Sequence, residues 1–341
     1  MKKIAIHHRP SSFSDRWISY CDKKKIPYKI VNAFDNDIIQ QLHDCNVLMW
    51  HHNHAINKDT MVAKKILFAL EHASIRVFPD FKTGWHFDDK VAQKYLLEAI
   101  DAPLVPSYVF YDKEKATNWA KKTNYPKVFK LRGGAGASNV RLVKSKDEAL
   151  KLINKAFGKG FSQYDRVAAL SECYRKFKEK KESFIYVLKG LVRFFISTEF
   201  SRKKAPERGY IYFQDFVPNN KSDLRIIIIG DKAFAVKRLV RENDFRASGS
   251  GAIEFDRQSI DERCVSLAFN INKKINAQSV AYDFIHDKNG LPLIVEISYG
   301  FAVKPYDKCP GYWDKHLNWH EESFTPQEWM IEQLINNLKK N

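Results

Sequence analysis

The sequence predicts an α/β protein made of α+β subdomains, preceded by a small open αβ domain at the N-terminus. Three observations predict it. Short apolar runs alternate with helix-length segments over the first 80 residues, a glycine-rich loop sits between two strand-like runs at residues 128–143, and two hairpins can be worked out from register between residues 213 and 300. At 341 residues the chain is long for one domain and natural for several packed units.

Along the chain, Lys3 to His7 and Cys45 to Trp50 read as strands, with a helix near Ser14 to Lys24 between them. Ala63 to His72 reads as a helix, and Ile75 to Pro79 as the strand that closes a first domain, 1–80. Lys90 to Ile100 is helical, and Pro103 to Phe110 is extended. Ser145-Lys-Asp-Glu148 is a capping box, so a helix begins there. From that point to about Tyr210 the chain reads as helical and lysine-rich. The second domain is therefore 81–212, carrying the glycine loop and a long helical insertion. Strands dominate to about residue 298, giving a third domain, 213–300. The segment 301–341 is an aromatic-rich tail and a final helix, started by Thr325-Pro-Gln-Glu328 with Phe324 as its staple.

The balance of 57 Lys and Arg against 40 Asp and Glu gives a formal charge of +17, which favours an acidic partner. No zinc-finger, RRM or homeodomain signature appears and the basic residues are spread, so nucleic acid is not the expected partner. Five widely spaced cysteines without C-x-x-C suit a reducing cytoplasm. The N-terminus lacks the apolar core of a signal peptide, and no run is long enough to span a membrane. Oligomeric state is not readable.

The stretch VFKLRGGAGASNVRLV places Lys130 before Gly133, Gly134 and Gly136. A P-loop needs the lysine after the glycines, and a dinucleotide fingerprint needs a third glycine where Asn139 stands, so neither motif is met. What remains is a strand, glycine turn and strand: either a flap whose N–H groups cover phosphate while Lys130 neutralises it, or an ordinary hairpin. Farther on, Gly230-Asp231 makes a two-residue turn that pairs Ile229 with Lys232. Asp223 then lies opposite Arg238, with Arg225 on the same face. In the second hairpin, the Asp287–Gly290 turn pairs His286 with Leu291 and Asp283 with Ile294. Glu296 becomes a diagonal neighbour of Asp283, at about 7–8 Å, with Ser298 following on that face. Two carboxylates and a hydroxyl suit Mg²⁺, although a solvent-facing polar side is the plainer alternative.

Taken in order, a lysine and glycine flap, a basic cluster and an acidic cluster resemble the ATP-grasp superfamily, in its glutathione synthetase and ribosomal-protein glutamate ligase (RimK-like) branch. The resemblance covers roughly residues 75 to 300. It implies an ATP-grasp fold after the N-terminal αβ domain, with ATP and Mg²⁺ as cofactors. It implies that Lys90, after Asp89, and Lys130 serve the nucleotide, and that Gly133, Gly134, Gly136 and Ser138 form the phosphate flap. Tyr212-Phe-Gln-Asp-Phe-Val217 is similar to the hinge whose backbone reads adenine and whose acidic residue holds ribose, which assigns Gln214, Asp215, Phe216 and Val217 to the nucleotide. Asp223 and Lys237 join them, while Arg225, Arg238 and Arg246 resemble the residues at the γ-phosphate and acyl-phosphate. Asp283, Glu296 and Ser298 resemble the metal ligands, with serine where the family usually has asparagine.

The activity so implied is carboxylate–amine ligation through an acyl-phosphate. Met49-Trp-His-His-Asn-His54 ends the third strand, where ligands bind in open α/β sheets, so His51, His52 and His54 are substrate candidates or simply a polar loop. Zinc there lacks a fourth ligand, and Cys309, His316 and His320 raise it again with the same lack. The tail between Tyr306 and Trp319 suits stacking on a sugar ring or docking on the core. Within the insertion, a basic stretch, Arg175 to Lys181, precedes an apolar one, Phe184 to Ile196, which suits either an anionic membrane surface or a packed lid helix. The substrates expected are a small-molecule or saccharide carboxylate and an amine, with amidation of an acidic sugar in cell-surface polysaccharide as the leading reading. An amino-acid or peptide ligase is the alternative; outside the class stand an ATP-grasp kinase and a basic nucleic-acid-binding protein.

Overall fold

The computed structural model of the chain describes residues 3–134, 139–162, 205–241, 244, 245 and 252–339, with scattered positions between 170 and 191. Gly136, Ser138 and Arg246 lie outside the described residues, as does most of the basic and apolar insertion. Two packed units are present: Met1–Phe87 with Tyr95–Leu104 and Val217–Asn341, and Asp88–Lys94 with Val105–Phe216. Among the described residues no helix is long and apolar enough to cross a membrane.

In the first unit, four parallel strands run in the order Tyr28–Val31, Ile4–His7, Val47–Trp50, Arg76–Phe78. Ile4–His7 and Val47–Trp50 are buried throughout, and apolar but for His7, because both faces are covered. Helix Phe13–Lys24 buries Phe13, Trp17 and Tyr20 on one side. It starts at Ser12, whose hydroxyl accepts the Ser14 N–H at 3.2 Å, and stops at Lys25 in a left-handed conformation. Helix Asn57–His72 covers the other side with Ala63, Leu67 and Leu70.

The same unit holds a larger sheet, ordered Pro292–Ser298, Ser279–His286, Ser222–Ile229, Lys232–Leu239, Tyr312–Asp314, Trp319–His320. Period-two alternation in Ser222–Ile229 serves two cores. Leu224, Ile226 and Ile228 meet Cys264, Val265 and Ala268 of helix Glu262–Ile275, while Ile227 and Ile229 meet Trp329, Met330 and Ile331 of the final helix, Pro326–Lys339. Helix Glu262–Ile275 interrupts the expected run of strands; the Asp261 cap starts it, and Cys264, Val265, Ala268, Ile271 and Ile275 form its buried face. The aromatic tail docks on the core: Tyr312 and Trp313 are buried, and Phe324 stacks on Trp329.

The second unit carries an antiparallel sheet ordered Ser107–Phe110, Ile211–Asp215, Lys127–Lys130, Val140–Val143. Helices Lys113–Lys122 and Lys146–Ala156 bury Ala116, Ala120, Ala149 and Ile153 in its core. Ser145 caps the latter as expected, but Glu148 reaches back to the Lys144 N–H at 2.7 Å, one residue earlier than in a reciprocal capping box.

The first hairpin has the expected register, Ile229 with Lys232 and Asp223 with Arg238. The second does not. His286 pairs with Pro292 and Phe284 with Ile294; a bulge then sets Asp283 directly opposite Glu296. The cause is the turn, where the Asp287 carboxylate accepts the Asn289 and Leu291 N–H groups at 2.8 Å each, so Leu291 belongs to the loop. The bulge corrects the resulting shift and brings the two carboxylates closer than a diagonal pair.

Two buried histidines, His52 and His86, are held neutral: burial depresses them to about 3 and about 4. Their folded values lie below the usual 6.5, so the stability they contribute is whole above pH 6.5 and is lost as pH falls toward 4 and then 3. The loss approaches about 1.4 kcal/mol per pH unit for each. Thermal unfolding should therefore begin at a clearly lower temperature at pH 5 than at pH 7.5, and a midpoint that does not move would contradict this account.

Candidate active site

In the second unit, Asp88 and Lys90 fasten the first limb of the glycine loop. The Asp88 carboxylate accepts the Gly134 N–H at 2.9 Å, and Lys90 Nζ donates to the Gly134 carbonyl at 2.9 Å. Gly134 has φ of 103°, a conformation that favours glycine, and a Cβ on Gly133 would stand 3.3 Å from the Asp88 carboxylate. The Asp89 carboxylate accepts the Val91 and Ala92 N–H groups at 3.1 and 3.0 Å, so Lys90 projects from a capped helix start. Lys130 is buried and donates to Gln214 Oε1 at 2.6 Å. Lys127 donates to Asp215 Oδ1 at 2.6 Å. Gln214 and Asp215 lie within strand Ile211–Asp215, which is paired on both sides, so Phe216 and Val217 are the first positions beyond the strand.

In the first unit, Glu296, Asp283 and Arg225 lie side by side across three neighbouring strands. Arg225 grips Asp283 with Nε at 2.7 Å and Nη2 at 2.8 Å. Arg238 pairs with Asp223 and also reaches Asp283 at 2.9 Å. The Tyr306 hydroxyl stands 3.4 Å from Arg225 Nη1. Lys237, on the opposite face, pairs with Glu254 at 3.0 Å. Burial pushes the Asp283 carboxyl up, but the Arg225 and Arg238 charges outweigh it and hold the carboxyl well below the usual range. Asp223 goes the other way: burial, reinforced by the Asp283 charge, raises it to about 6 against the pull of Arg238.

The row fits a divalent cation by the chemistry of its donors. Three carboxylates (Asp223, Asp283, Glu296) face two guanidinium groups, leaving one formal negative charge, and every candidate ligand atom is oxygen. Ser298 donates its hydroxyl proton to the Gly300 carbonyl at 2.8 Å, so its oxygen lone pairs are what it offers a ligand.

The three histidines do not gather on one point. His51 Nδ1 accepts the Phe13 N–H at 3.1 Å and its ring stacks on Phe13 at 3.7 Å. His52 packs against Phe87 and Tyr299, with its Nε2 buried and without a hydrogen-bond partner among the described residues, and His54 meets the edge of Phe87. Among the described residues neither they nor Cys309, His316 and His320 form a metal-ligating group. Cys309 is buried, while His320 bonds Asp314 at 3.1 Å in a hairpin.

Sequence reasoning missed Asp88, Lys127 and Arg9. Asp88 adjoins the quoted Asp89-Lys90 and was readable as a further acid there; Lys127 required a strand pairing between segments 88 residues apart. Arg9 follows strand Ile4–His7 by two residues, and its position past the end of the first apolar run was the available signal. Its Nε is buried without a hydrogen-bond partner among the described residues, and its charge acts on His51, Asp59 and Tyr299.

A family model described as RimK-like ATP-grasp domain matches residues 202–309, and one described as carbamoyl-phosphate synthase L chain, ATP binding domain, matches residues 89–185. The chain is 21% identical over 282 residues to the alpha-aminoadipate–LysW ligase LysX of Saccharolobus solfataricus, covering 81% of this chain and 84% of that protein. Its fold is similar to the RimK domain protein ATP-grasp from Sphaerobacter thermophilus, with a TM-score of 0.55 and 13% identity over 98% of this chain and 99% of that one. It is also similar to the biotin carboxylase domain of the Hydrogenobacter thermophilus 2-oxoglutarate carboxylase in complex with MgADP. That TM-score is 0.58, at 14% identity over 97% and 69% of the two chains. Residues 202–309 thus match a RimK-like ATP-grasp domain and residues 89–185 an ATP-binding domain, and these matches support an ATP-dependent carboxylate–amine ligase that uses ATP with Mg²⁺.

The buried row predicts a contrast between its two central carboxylates. Asp283→Ala leaves Arg225 and Arg238 short of a charge in a buried site and should cost about 3–5 kcal/mol of stability. Glu296→Ala, at a half-buried position, should cost about 1 kcal/mol or less. Urea titration of both variants checks this, and equal losses would contradict it.

Proposed function

We propose that the protein activates the carboxylate of an acidic amino acid, or of a peptide ending in one, and joins it to an amine. The observation that carries this reading is the Glu296–Asp283–Arg225 row with Arg238 and Asp223 behind it. Such a row places fixed positive charge where a phosphoryl group acquires negative charge and fixed negative charge where a cation is needed. Asp283, Glu296 and Ser298 would hold Mg²⁺, which when bound screens the ATP phosphates. Arg225 and Arg238 would serve the transferred phosphoryl group, and within the other unit Lys90, Lys130 and the Gly133–Gly134 limb offer the cations and N–H groups that suit nucleotide phosphates.

The substrate carboxylate attacks the γ-phosphorus, ADP leaves, and an acyl-phosphate results. The amine then attacks the carbonyl carbon, inorganic phosphate departs with the former carboxylate oxygen, and the amine loses a proton. A glycine loop over the phosphates keeps water from the mixed anhydride. Cytoplasmic ATP supplies the reaction, and five buried free thiols suit a reducing compartment.

Arg9 supports an acidic substrate over a plain one, because a half-buried guanidinium at the carboxyl end of a parallel strand suits a second carboxylate. The likeness to a ligase of alpha-aminoadipate agrees with this. Amidation of an acidic sugar has less support: Tyr312 and Trp313, which would have stacked on it, are buried in the core.

The test is ADP and phosphate release with Mg²⁺-ATP and hydroxylamine across dicarboxylic amino acids, peptides and uronic acids. A hydroxamate is expected with a dicarboxylic amino acid, falling about 100-fold or more in Glu296→Ala. A phosphorylated product without free phosphate would indicate a kinase and overturn the reading; a hydroxamate with uronic acids alone would restore the sugar.

Arg9→Met should raise KM for the preferred dicarboxylate by about 10- to 100-fold with kcat little changed, the loss of one charged hydrogen bond in uniform binding. An unchanged KM would remove Arg9 from the substrate site.

A further inference from the structure

A second group of ligating side chains lies on the reverse of the strand that carries Asp283. Asp261 is the N-cap of helix Glu262–Ile275, its Oδ1 accepting the Arg263 N–H at 3.0 Å. Cys264 stands three residues on, fully buried in the core that holds Tyr282 and Phe284. His286 ends strand Ser279–His286, and its backbone is fixed on both sides by the Asn220 amide at 2.9 Å. Its Nε2 lies 3.0 Å from Asp261 Oδ2 and 4.0 Å from Cys264 Sγ, and the three donor atoms all lie within 4.8 Å of one another.

Both partners approach the same ring nitrogen. A Cys–His–Asp relay needs the two on opposite nitrogens, so that arrangement is not nucleophilic machinery. One proton on Nε2 can serve Asp261 but leaves Cys264 at the limit of contact, whereas one cation can bind all three. Ligand atoms about 2.0–2.3 Å from a tetrahedral zinc stand roughly 3.3–3.8 Å apart, and the two observed separations bracket that span. A sulfur, a nitrogen and an oxygen together suit a borderline-soft ion and not Mg²⁺ or Ca²⁺.

We propose that Asp261, Cys264 and His286 form a three-ligand Zn²⁺ site with water in the fourth position. The His286 and Asp261 side chains are 31% and 21% exposed, so solvent reaches the open position. The Sγ–zinc bond forms as the thiol proton passes to solvent. Arg263, which also holds Asp261, is 62% exposed and gives way at small cost. The ion ties the start of the helix to the strand bearing Asp283, three residues upstream of His286, and leaves its water position open to solvent.

The test uses the full chain stripped with chelator and titrated with Co²⁺ as a spectroscopic stand-in for Zn²⁺. One equivalent should bind with a thiolate-to-cobalt charge-transfer band. The band should vanish in Cys264→Ser, and affinity should fall about tenfold or more in His286→Asn and in Asp261→Asn, which keeps the helix cap. Should Cys264→Ser fail to fold, the two surface-reaching variants carry the same reading. No band in the wild-type protein, a band that survives Cys264→Ser, or affinities unchanged in both other variants would overturn the site.

Discussion

The bidentate grip of Arg225 on Asp283 organises the larger sheet. It joins two neighbouring strands at the point where one sheet face changes from apolar to charged: Ile227 and Ile229 lie in the core on that face, and Arg225 and Asp223 continue it as a polar row. Buried pairs of this kind add little net stability against an apolar replacement, because desolvation offsets most of their attraction. Their value is a fixed field. Charges held by the fold need no rearrangement when a phosphoryl group acquires charge beside them.

The N-terminal layer answers to a different constraint. Its central strand and its neighbour are buried on both faces, so polar groups collect at and past their carboxyl ends, where His7, Arg9, His51, His52 and His54 stand. Aromatic packing keeps this edge stiff: Phe13 stacks on His51, and Tyr299 binds the His52 carbonyl at 2.6 Å while packing on Phe87. Tyr299 directly follows Ser298, so the chain passes from the acidic row to the histidine edge within two residues.

Legibility in the sequence followed the range of the interactions. The Gly230-Asp231 turn is local, so the register of its hairpin, and with it the Asp223–Arg238 pair, could be read directly. The Asp287 turn misled because one carboxylate caps two amides and lengthens the loop, and the bulge that compensates has no residue of its own to announce it. Lys127 with Asp215, and Arg9 near Asp59, depend on segments brought together only by the fold. The Asp261–Cys264–His286 trio escaped because its members are split between a helix that was not foreseen and the far end of a strand.

Charge balance also explains how the departure at Ser298 is accommodated. An asparagine there would offer a carbonyl oxygen and carry two amide protons needing acceptors. The serine has one proton and gives it to Gly300, so it presents acceptor lone pairs alone. Beside it, Asp283 stays ionised under two arginines while Asp223, deeper and beside the Asp283 charge, titrates near 6. Across the sheet, Glu296 and Asp283 stand on the side of the serine oxygen, and Arg225 and Arg238 with Asp223 on the other. The order of five side chains across four strands thus sets the Glu296 carboxylate and the Arg238 guanidinium at opposite ends of one sheet face.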